Sequence, residues 1–596
     1  MVNRIAFTPV RHSHVITTFG PGALSVSELG VSMLTCGPRT WLRSYGPDRP
    51  SLAESIEELT IRDSHMEHLL GVDRIVAPWP LSEDPVKKTE WFIPTVRFPL
   101  AEFCSNYQCK AMKWSSRGES QRGHCDVCAS GKKRRYTLQV PIVLACPRGH
   151  MADIPWIEWV HDGLACSNPV LKYRQTASPR GPKIECVSCG ASRQLQTSDS
   201  FRCSGERPWL PGLEPQDCSE EARIIERNST SLYFAETASN LAIPPIGSLN
   251  PILLRQLRSN RSLLPLRTVY MEDQSRVALQ QIVKGCALIG IVTSEKEVEV
   301  HLKALAIENN RIQGLNENDM RAHELEAMLE LRERTTYGHG QPDLVVEPMS
   351  LDKYDLDGPI SSFEAISRVT RLREVRVLRG FGRVNPPSAN LIVNEGYSQM
   401  WGAPSAKDDG LNNSGWLPGY EVFGEGILFV LDPKKVDEWL LRNRASTRLQ
   451  SLKSQRPHFV LAHTLAHLIM RAAAPRSGYP LPSLSERLYE VSGKLGFLIY
   501  TIVGDIEGTL GGLVALAQPG LLEQLLLDAV RQAEWCTTDP VCIEDNRLLK
   551  VLSTTTSPGA CHHCLLLPET SCEHGNKALD RAVIVGTLGD SCGFLG

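Results

Sequence analysis

The sequence lacks several features that would assign a function at once. No run of apolar residues approaches the roughly 18 that a membrane-spanning helix needs. The opening segment MVNRIAFTPV has no charged region followed by an apolar one, as a secretion signal would. No G-x-x-x-x-G-K-[ST] sequence occurs, nor G-x-S-x-G, nor the motif set of a protein kinase. We therefore expect a cytoplasmic protein without a membrane anchor and without ATPase activity of its own.

The chain also lacks an excess of charge of either sign. Its 64 basic and 67 acidic residues give a formal net charge of -3, so nucleic acid binding would have to come from local basic patches. Apolar residues make up 42% and charged residues 22% of the chain, which is typical of globular protein. Because 596 residues exceed the roughly 250–300 that one hydrophobic core supports, we expect three or four domains.

What the sequence does contain is clustered cysteine. Twelve of its 18 cysteines fall into three groups with the spacing of metal ligands. The predicted zinc ligands are Cys104, Cys109, Cys125 and Cys128 in the first group, Cys186, Cys189, Cys203 and Cys218 in the second, and Cys542, Cys561, Cys564 and Cys572 in the third. Two thiolates two residues apart can bind one ion, and a second pair completes a tetrahedral shell that suits Zn2+. Because a cytosolic chain keeps its thiols reduced, the groups favour zinc over disulfides.

Further candidate ligands leave alternatives open. Four residues between the first two groups are interpreted either as an additional mixed site or as buried groups without a metal: Cys146, His150, His161 and Cys166. Cys166 is also a candidate to replace one ligand of the second group. In the third group, the choice between Cys536 and Cys542 is open.

Two basic segments are candidates for contact with the DNA backbone. They are the basic patch, Lys132, Lys133, Arg134 and Arg135, and the arginine run, Arg368, Arg371, Arg376 and Arg379. The spacing of the arginine run favours one face of a helix over a strand. Arginine binds phosphate oxygens in bidentate fashion, which predicts sequence-independent DNA contact. The alternative is that these arginines pair with acidic groups of the protein itself.

One segment suggests an enzyme instead. His463 and His467 stand four residues apart on an apolar helix, as in zinc proteases, but Thr464 replaces the glutamate which that motif requires. A strand at 496–503 leads through a glycine-rich turn with Asp505 and Glu507 to a helix at 513–534. These residues define the alternative function, a metal-dependent nuclease or hydrolase acting on nucleic acid. Because groups of four cysteines describe closed, structural metal sites, we favour a protein without catalytic residues.

The predicted fold class is α+β, multidomain, with zinc-stabilised modules. We expect an α+β region at 1–100, zinc modules at 101–230, a middle α/β region at 231–450 and a C-terminal mixed α/β domain at 451–596. In the first region, Gly20-Pro21-Gly22 predicts a tight turn that a neighbouring group can approach closely. In the third, residues 319–329 predict an amphipathic helix.

Several segments resemble a known family. His463-x3-His467, the glycine-rich 508–513 and the cysteines up to Cys572 resemble the helicase-associated, four-cysteine zinc domain of repair helicases of the MrfA type, although the helicase motor is absent. With segments 18–23, 149–156, 380–384 and 424–427 in the same order, the chain is similar to the DrmB family, the helicase-partner subunit of the bacterial DISARM anti-phage defence system. The resemblance implies a heterodimer with a DrmA-like superfamily 2 helicase, and DNA binding by that complex. The function we expect is a non-catalytic, Zn2+-binding, DNA-binding scaffold subunit.

Overall fold

The computed structural model describes residues 12–41, 59–78, 93–128, 135–243, 260–312, 317–329, 332–334, 343–385, 415–503, 510–544 and 559–595, with gaps at 28, 62, 165, 176–180, 197, 261, 454–455 and 569–570, and also residues 253, 256 and 257. The chain forms two compact units. Unit 1 comprises Met1–Ser239 and Arg376–Tyr420, and unit 2 comprises Asn240–Val375 and Glu421–Gly596. Both helices and sheets are present, so the predicted α+β, multidomain class is confirmed. The division into four domains stays a prediction.

Unit 1 consists mainly of short strands in small sheets. Its strands are β1 (Leu24–Val26), β2 (Ser32–Thr35), β3 (Thr60–Ile61), β4 (Arg74–Val76), β5 (Thr95–Arg97), β6 (Ala101–Cys104), β7 (Met112–Trp114), β8 (Thr137–Gln139), β9 (Ile142–Ala145), β10 (Met151–Ala152), β11 (Leu171–Arg174), β12 (Lys183–Cys186), β13 (Ser192–Gln194), β14 (Phe201–Arg202) and β15 (Glu221–Glu226). The strand orders are β1-β2-β5, β7-β6-β8, β10-β9-β15-β14 and β11-β12-β13. Its helices are His12–Ile16, Pro38–Trp41, Ser64–Leu70 and Trp156–Val160, and Thr230–Leu232 is a 3-10 turn.

The small sheets of residues 101–226 share one modest core. Phe103 stacks on Tyr173 with ring centroids 4.5 Å apart, and Trp156 packs edge-on against the same tyrosine. Strands of two to six residues bury little apolar area, and such small sheets are marginal without further cross-links. This part of the chain therefore depends on contacts other than its apolar core.

The turn at residues 18–23 has the predicted close approach. Gly22 has a φ of +84°, and a Cβ atom at this position would lie 2.7 Å from the ring of Phe381. Only glycine combines this backbone conformation with so little space. The carbonyl of Gly22 accepts a hydrogen bond from Arg383 Nη2 at 2.7 Å.

Arg383 joins three separate segments of unit 1. Its buried guanidinium donates to the carbonyl oxygens of Gly22 and Gly149, at 2.7 and 2.9 Å, and to that of Leu232. It also lies over the ring of Trp209, 4.8 Å from the centroid. Burial lowers the pKa of Arg383 to about 9. Residues 18–23, 149–156 and 380–384, which carry part of the family resemblance, thus converge on one side chain.

Unit 2 contains longer strands and most of the helices. Its strands are β17 (Arg332–Arg334), β18 (Leu344–Pro348), β21 (Leu484–Val491) and β22 (Lys494–Val503), together with β16 (Phe234–Leu241), β19 (Phe363–Gly382) and β20 (Trp416–Leu431), which also contribute residues to unit 1. The order is β17-β18-β19-β20-β22-β21. The helices are Leu264–Asp273, Arg276–Leu288, Glu295–Ile312, Glu317–Leu329, Pro433–Arg442, Thr447–Ser451, Pro457–Ser477, Gly512–Ala515, Leu521–Glu534, Val541–Glu544 and Ala582–Val585, with 3-10 turns at Leu351–Lys353, Pro359–Ser362 and Leu481–Ser483.

Helices cover the sheet of unit 2. The helix Pro457–Ser477 is apolar on nearly all sides and fully buried over most of its length, in the same core as Phe429 and Phe497. The helix Glu317–Leu329, predicted at 319–329, buries Leu325 and Met328 in a second core. Glu324 of this helix forms a buried ion pair with Arg487 of β21.

Two sequence predictions about secondary structure are wrong. The arginine run was expected on a helix, but it lies on strand β19. The adjacent residues Val377 and Leu378, which point to opposite faces of this strand, are both fully buried, and a strand covered on both faces loses the alternating pattern that identifies strands in sequences. The helix expected at 513–534 is two helices, because Pro519 and Gly520 interrupt it.

The strand expected at 496–503 is present as part of β22, whereas Asp505 and Glu507 lie outside the described residues. In the part of the chain that the structure describes, no helix combines the length and the apolar character needed to cross a membrane.

Candidate metal centres

Among the residues that the structure describes, cysteine, histidine and glutamate side chains meet in five groups of four. In each group, one ligand atom per residue lies within 4.8 Å of the other three. Site A is Cys104, Cys109, Cys125 and Cys128; site B is Cys146, His150, Cys203 and Cys218; site C is His161, Cys166, Cys186 and Cys189; site D is Cys536, Cys542, Cys561 and Cys564; and site E is His463, His467, Glu486 and Cys572. All 18 cysteines are free thiols.

The sulfur–sulfur distances match a metal shell. In a tetrahedron with zinc–sulfur bonds of about 2.3 Å, neighbouring sulfurs lie about 3.8 Å apart, whereas a disulfide bond is about 2.0 Å. The Sγ atoms of Cys104 and Cys128 are 3.7 Å apart, and those of Cys109 and Cys125 are 3.8 Å apart. These groups have the dimensions needed to hold an ion, and the distances exclude covalent pairing.

Site A lies at one end of the sheet β7-β6-β8. Cys104 is the last residue of β6, Cys109 lies in the turn to β7, and Cys125 and Cys128 precede β8. The amide of Asn106 donates to Cys104 Sγ at 3.4 Å. Burial raises the pKa of Cys104 to about 12, with the neighbouring thiols adding to the effect. Four thiolates can therefore exist together here only if a cation neutralises them.

Site B brings together residues from two turns that are distant in sequence. Cys146 and His150 flank the tight turn between β9 and β10, while Cys203 follows β14 and Cys218 precedes β15. His150 Nδ1 lies 3.5 Å from Cys146 Sγ and 3.6 Å from Cys203 Sγ. A tetrahedral zinc shell with one nitrogen and one sulfur ligand separates those atoms by about 3.6 Å. All four residues are buried.

The ring orientation of His150 suits a metal ligand. Its other nitrogen, Nε2, lies 3.0 Å from Gln216 Oε1. The amide oxygen can only accept, so Nε2 carries the hydrogen and Nδ1 presents its lone pair to the thiols. Such a partner for the distal nitrogen is typical of histidines that bind metals.

Site C is more exposed. His161 caps the helix Trp156–Val160, Cys166 follows it, and Cys186 and Cys189 flank the turn from β12 to β13. His161 donates from Nδ1 to the carbonyl of Ile157 at 2.7 Å, and its Nε2 lies 3.3 Å from Cys189 Sγ. Burial raises the pKa of Cys186, but the nearby amides outweigh burial and lower it to about 6. This thiol is thus prepared for the ionised form that binds metal.

Site D lies in unit 2 and contains four cysteines. Cys536 Sγ is 3.5 Å from that of Cys561, and Cys542 Sγ is 3.7 Å from that of Cys564. The hydrogen bond from the thiol of Cys564, together with Cys561 and the charge of Arg581, lowers the pKa of Cys542 to about 5 despite burial. The arginine is itself buried and paired with Asp539.

Site E has mixed ligands and is completely buried. His463 and His467 lie on one face of the helix Pro457–Ser477, Glu486 lies on β21, and Cys572 lies in the C-terminal segment. His463 Nε2 is 2.8 Å from Glu486 Oε1 and 3.2 Å from Cys572 Sγ. Thr464, which occupies the position of the protease glutamate, accepts a hydrogen bond from the amide of Asp580 at 3.0 Å.

The structure distributes the predicted cysteines differently from the sequence groups. The first predicted group is together in site A. The second is divided, because Cys186 and Cys189 lie in site C, whereas Cys203 and Cys218 lie in site B. In the third, Cys536 joins Cys542, Cys561 and Cys564, and Cys572 lies in site E instead.

Several group members were left open or missed from sequence. The four residues proposed as one mixed site, Cys146, His150, His161 and Cys166, are shared between sites B and C. Their signal was the short spacing Cys146-x3-His150. No ligand spacing marked Glu486, which lies on strand β21, as a candidate metal ligand.

The basic segments are in contrasting surroundings. Arg135 is exposed, and Lys132, Lys133 and Arg134 lie outside the described residues. The four residues of the arginine run are half-buried on β19: Arg368, Arg371, Arg376 and Arg379. Arg368 pairs with Glu347 at 3.1 Å, and Arg371 lies over the ring of Phe423. DNA contact stays a prediction for both segments.

The fold and the sites define a class of protein: a multidomain α+β chain whose short strands and C-terminal helices carry closed groups of potential metal ligands. Comparisons with known proteins then indicate a particular family. Residues 11–234 match the family model described as "Domain of unknown function (DUF8724)". The chain is 26% identical over 546 residues to the DISARM protein DrmB of Bacillus paralicheniformis, covering 83% of this chain and 89% of the relative. This similarity confirms the resemblance to the DrmB family.

Proposed function

We propose that this chain is a non-catalytic, zinc-stabilised component of a DISARM anti-phage defence system, where it partners a DrmA-like superfamily 2 helicase and contacts the DNA backbone. The observation that carries the proposal is the similarity to a DISARM protein DrmB over most of both chains. A match of this extent covers both units, so it concerns the whole architecture and not one shared module.

The chemistry of sites A to D supports structural metal binding. Each offers four sulfur or nitrogen ligands, which fill a tetrahedral zinc shell and leave no position for a substrate. The distances within sites A, B and D are those of such a shell. We therefore assign Zn2+ to these four sites. At sites A to C it supports sheets that are too small to be stable by their apolar core.

The burial of site E argues against the alternative of a nuclease or hydrolase. His463 and His467 have no solvent-accessible surface, so a nucleic acid strand cannot reach them. The position of the catalytic glutamate holds Thr464, whose hydroxyl is occupied in packing. The proposed role is therefore one of binding and scaffolding.

We place the proposed DNA contact on the basic patch. The carbonyl of Arg135 accepts a hydrogen bond from the amide of Cys125 at 2.9 Å, so the end of the patch is anchored to site A. The side chain of Arg135 is exposed, so it can contact a phosphate group of DNA. The arginine run has protein partners at Arg368, Arg371 and Arg379, which favours a structural role for it.

The test is co-expression of the tagged chain with a DrmA-like helicase from the same host. The proposal expects co-purification of the two, salt-sensitive DNA binding by the complex, and no DNA cleavage by the isolated chain with Mg2+ or Mn2+. A chain that never co-purifies with the helicase would refute the partnership. Cleavage that persists through purification, and that is lost in a single-residue variant, would establish the enzyme alternative.

A further inference from the structure

We propose that His463, His467, Glu486 and Cys572 of site E bind a divalent metal ion, with Zn2+ the first candidate, as a structural site with mixed ligands. The proposal is independent of the proposed function, since it rests on these four side chains and their surroundings. It also differs chemically from sites A to D, which contain at least three cysteines each.

The hydrogen-bond partner of His467 turns the other ring nitrogen, Nε2, towards the centre of the site. His467 Nδ1 lies 2.9 Å from the carbonyl oxygen of Leu565. A carbonyl can only accept, so Nδ1 carries the hydrogen, and Nε2 of the neutral ring presents a lone pair. That lone pair points at Glu486 Oε1, 3.3 Å away, which is another acceptor. Two facing acceptors require a cation or an extra proton between them.

The other half of the site has the same imbalance. His463 Nε2 faces both Glu486 Oε1 and Cys572 Sγ, yet one N–H can serve only one of them. The amide of Asn576 donates to Cys572 Sγ at 3.1 Å, so this sulfur already accepts one hydrogen bond from the backbone. Glu486 Oε2 is buried and has no hydrogen-bond partner among the described residues. Lone pairs thus outnumber protons at the centre of the site.

The charges balance when a divalent cation is present. Two neutral imidazoles, one carboxylate and one thiolate sum to -2, which a single divalent ion neutralises. His463, His467 and Glu486 are each fully buried, where an uncompensated charge is strongly unfavourable. Two additional protons on the imidazoles would also balance the charge, and this metal-free state is the competitor that the experiment must distinguish.

The dimensions of the site are close to those of a zinc shell. With ligand bonds of about 2.0–2.3 Å, a tetrahedron separates nitrogen from oxygen by about 3.3 Å and nitrogen from sulfur by about 3.6 Å. The separation between His467 Nε2 and Glu486 Oε1 is 3.3 Å. The two distances from His463 Nε2, 2.8 and 3.2 Å, are shorter. Metal binding therefore requires His463 to move by roughly half an ångström relative to its neighbours.

Such an ion would be structural. Four protein ligands leave no open coordination position, and the site has no access to solvent. The ligands come from the helix Pro457–Ser477, from strand β21 and from the C-terminal segment, which are far apart in sequence. The ion would therefore fasten the C-terminal segment to the core of unit 2.

The experiment counts metal ions in the folded, full-length chain by native mass spectrometry. The variants are Cys572→Ser and Glu486→Gln, which preserve side-chain shape. The matched control is Cys592→Ser, which replaces a buried cysteine of unit 2 that belongs to none of the five groups. We expect both site E variants to hold one ion fewer than the wild type, and the control to hold the same number. Equal counts in the wild type and both folded variants would overturn the proposal.

A second measurement decides the matter if the variants fail to fold. An anomalous difference map of the wild-type protein, recorded at the zinc absorption edge, should show a peak between the four ligand atoms of site E. Absence of this peak, with peaks present at sites A to D, would refute the fifth site while leaving the zinc assignment of the other four intact. A peak at site E without peaks at sites A to D would support the fifth site and refute the zinc assignment of the other four.

Discussion

Arg383→Met is expected to destabilise unit 1 by about 4 kcal/mol. The substitution removes the guanidinium that donates to the carbonyls of Gly22, Gly149 and Leu232. Each buried acceptor left without a donor costs about 1–3 kcal/mol, or roughly 3–9 kcal/mol for three. Part of this cost is offset because the substitution also removes a buried charge, which stabilises the folded state by a few kcal/mol.

Scanning calorimetry of the metal-loaded chain measures the effect. For a unit of this size, 1 kcal/mol corresponds to a shift of about 2–4 °C in Tm, so the transition of unit 1 should fall by about 8–16 °C. Arg383→Lys keeps the positive charge, but one ammonium cannot reach three carbonyls. We expect it to restore less than half of the loss.

Arg379→Met is the matched control. This arginine is half-buried on β19 and lies 3.8 Å from Glu236, so its loss should cost less than about 1 kcal/mol. If Arg383→Met lowers Tm by no more than Arg379→Met, the three carbonyls find other donors and the reasoning fails. Because Gly149 lies in the turn that carries site B, the metal content of each variant should be measured in parallel.

Three further predictions concern the metal sites, a buried ion pair and DNA. Cys166→Ser and Cys203→Ser should each release one metal ion, and the double variant two, because the two cysteines belong to sites C and B. If Cys186, Cys189, Cys203 and Cys218 bound one ion together, Cys166→Ser would release none. Native mass spectrometry distinguishes these outcomes by counting the ions. Glu324→Gln should destabilise unit 2 by about 3 kcal/mol, since it leaves Arg487 buried without its partner. Burial raises the pKa of Glu324, but the charge of Arg487 outweighs burial and the net pKa is lowered. The ion pair therefore stabilises the folded state fully above the unfolded pKa of about 4.3. This stabilisation is lost only as the pH falls through the lower pKa of the folded state. Urea unfolding should show the same difference in free energy of unfolding between the wild type and Glu324→Gln at every pH from 6 to 8. A difference that declined within that range would contradict the assigned ion pair. Alanine at all four positions of the basic patch should flatten the salt dependence of DNA binding by the helicase complex. The slope of log affinity against log salt should fall by about one unit for each phosphate group that the variant no longer binds, whereas alanine throughout the arginine run should lower stability instead. An unchanged slope in the basic-patch variant would place the DNA path elsewhere.

Site A was predictable because its ligands are local. All four cysteines lie within one small sheet, between Cys104 and Cys128, so sequence spacing and spatial grouping coincide. The other sites combine ligands from separate segments, so that a close pair such as Cys186 and Cys189 meets residues from elsewhere in the sequence. Spacing identifies each pair, but only the folded sheets decide which pairs meet, as the division of the second predicted group shows.

The arginine run and Glu486 show a second limit. Sequence periodicity indicates a strand only when one face is exposed, and β19 is covered on both faces over much of its length. Glu486 lies on β21 between Ser485 and Arg487, and its proposed role depends on a helix some 20 residues earlier and a cysteine near the C-terminus. A polar residue in a strand gives no sign in sequence that it points towards such partners.

The sites are nested along the chain, and this has a consequence for the rates at which metal ions exchange. Site C lies entirely between His150 and Cys203 of site B, and site D lies entirely between Glu486 and Cys572 of site E. In both pairs the outer site is fully buried, whereas the inner one has exposed or half-buried ligands. A chelator can attack the inner sites in the native state, but the outer ones only after local opening of the segments that enclose them. Exchange at the inner sites should therefore be fast and governed by chelator concentration. At the outer sites it should be slow, and governed by the opening of the protein itself.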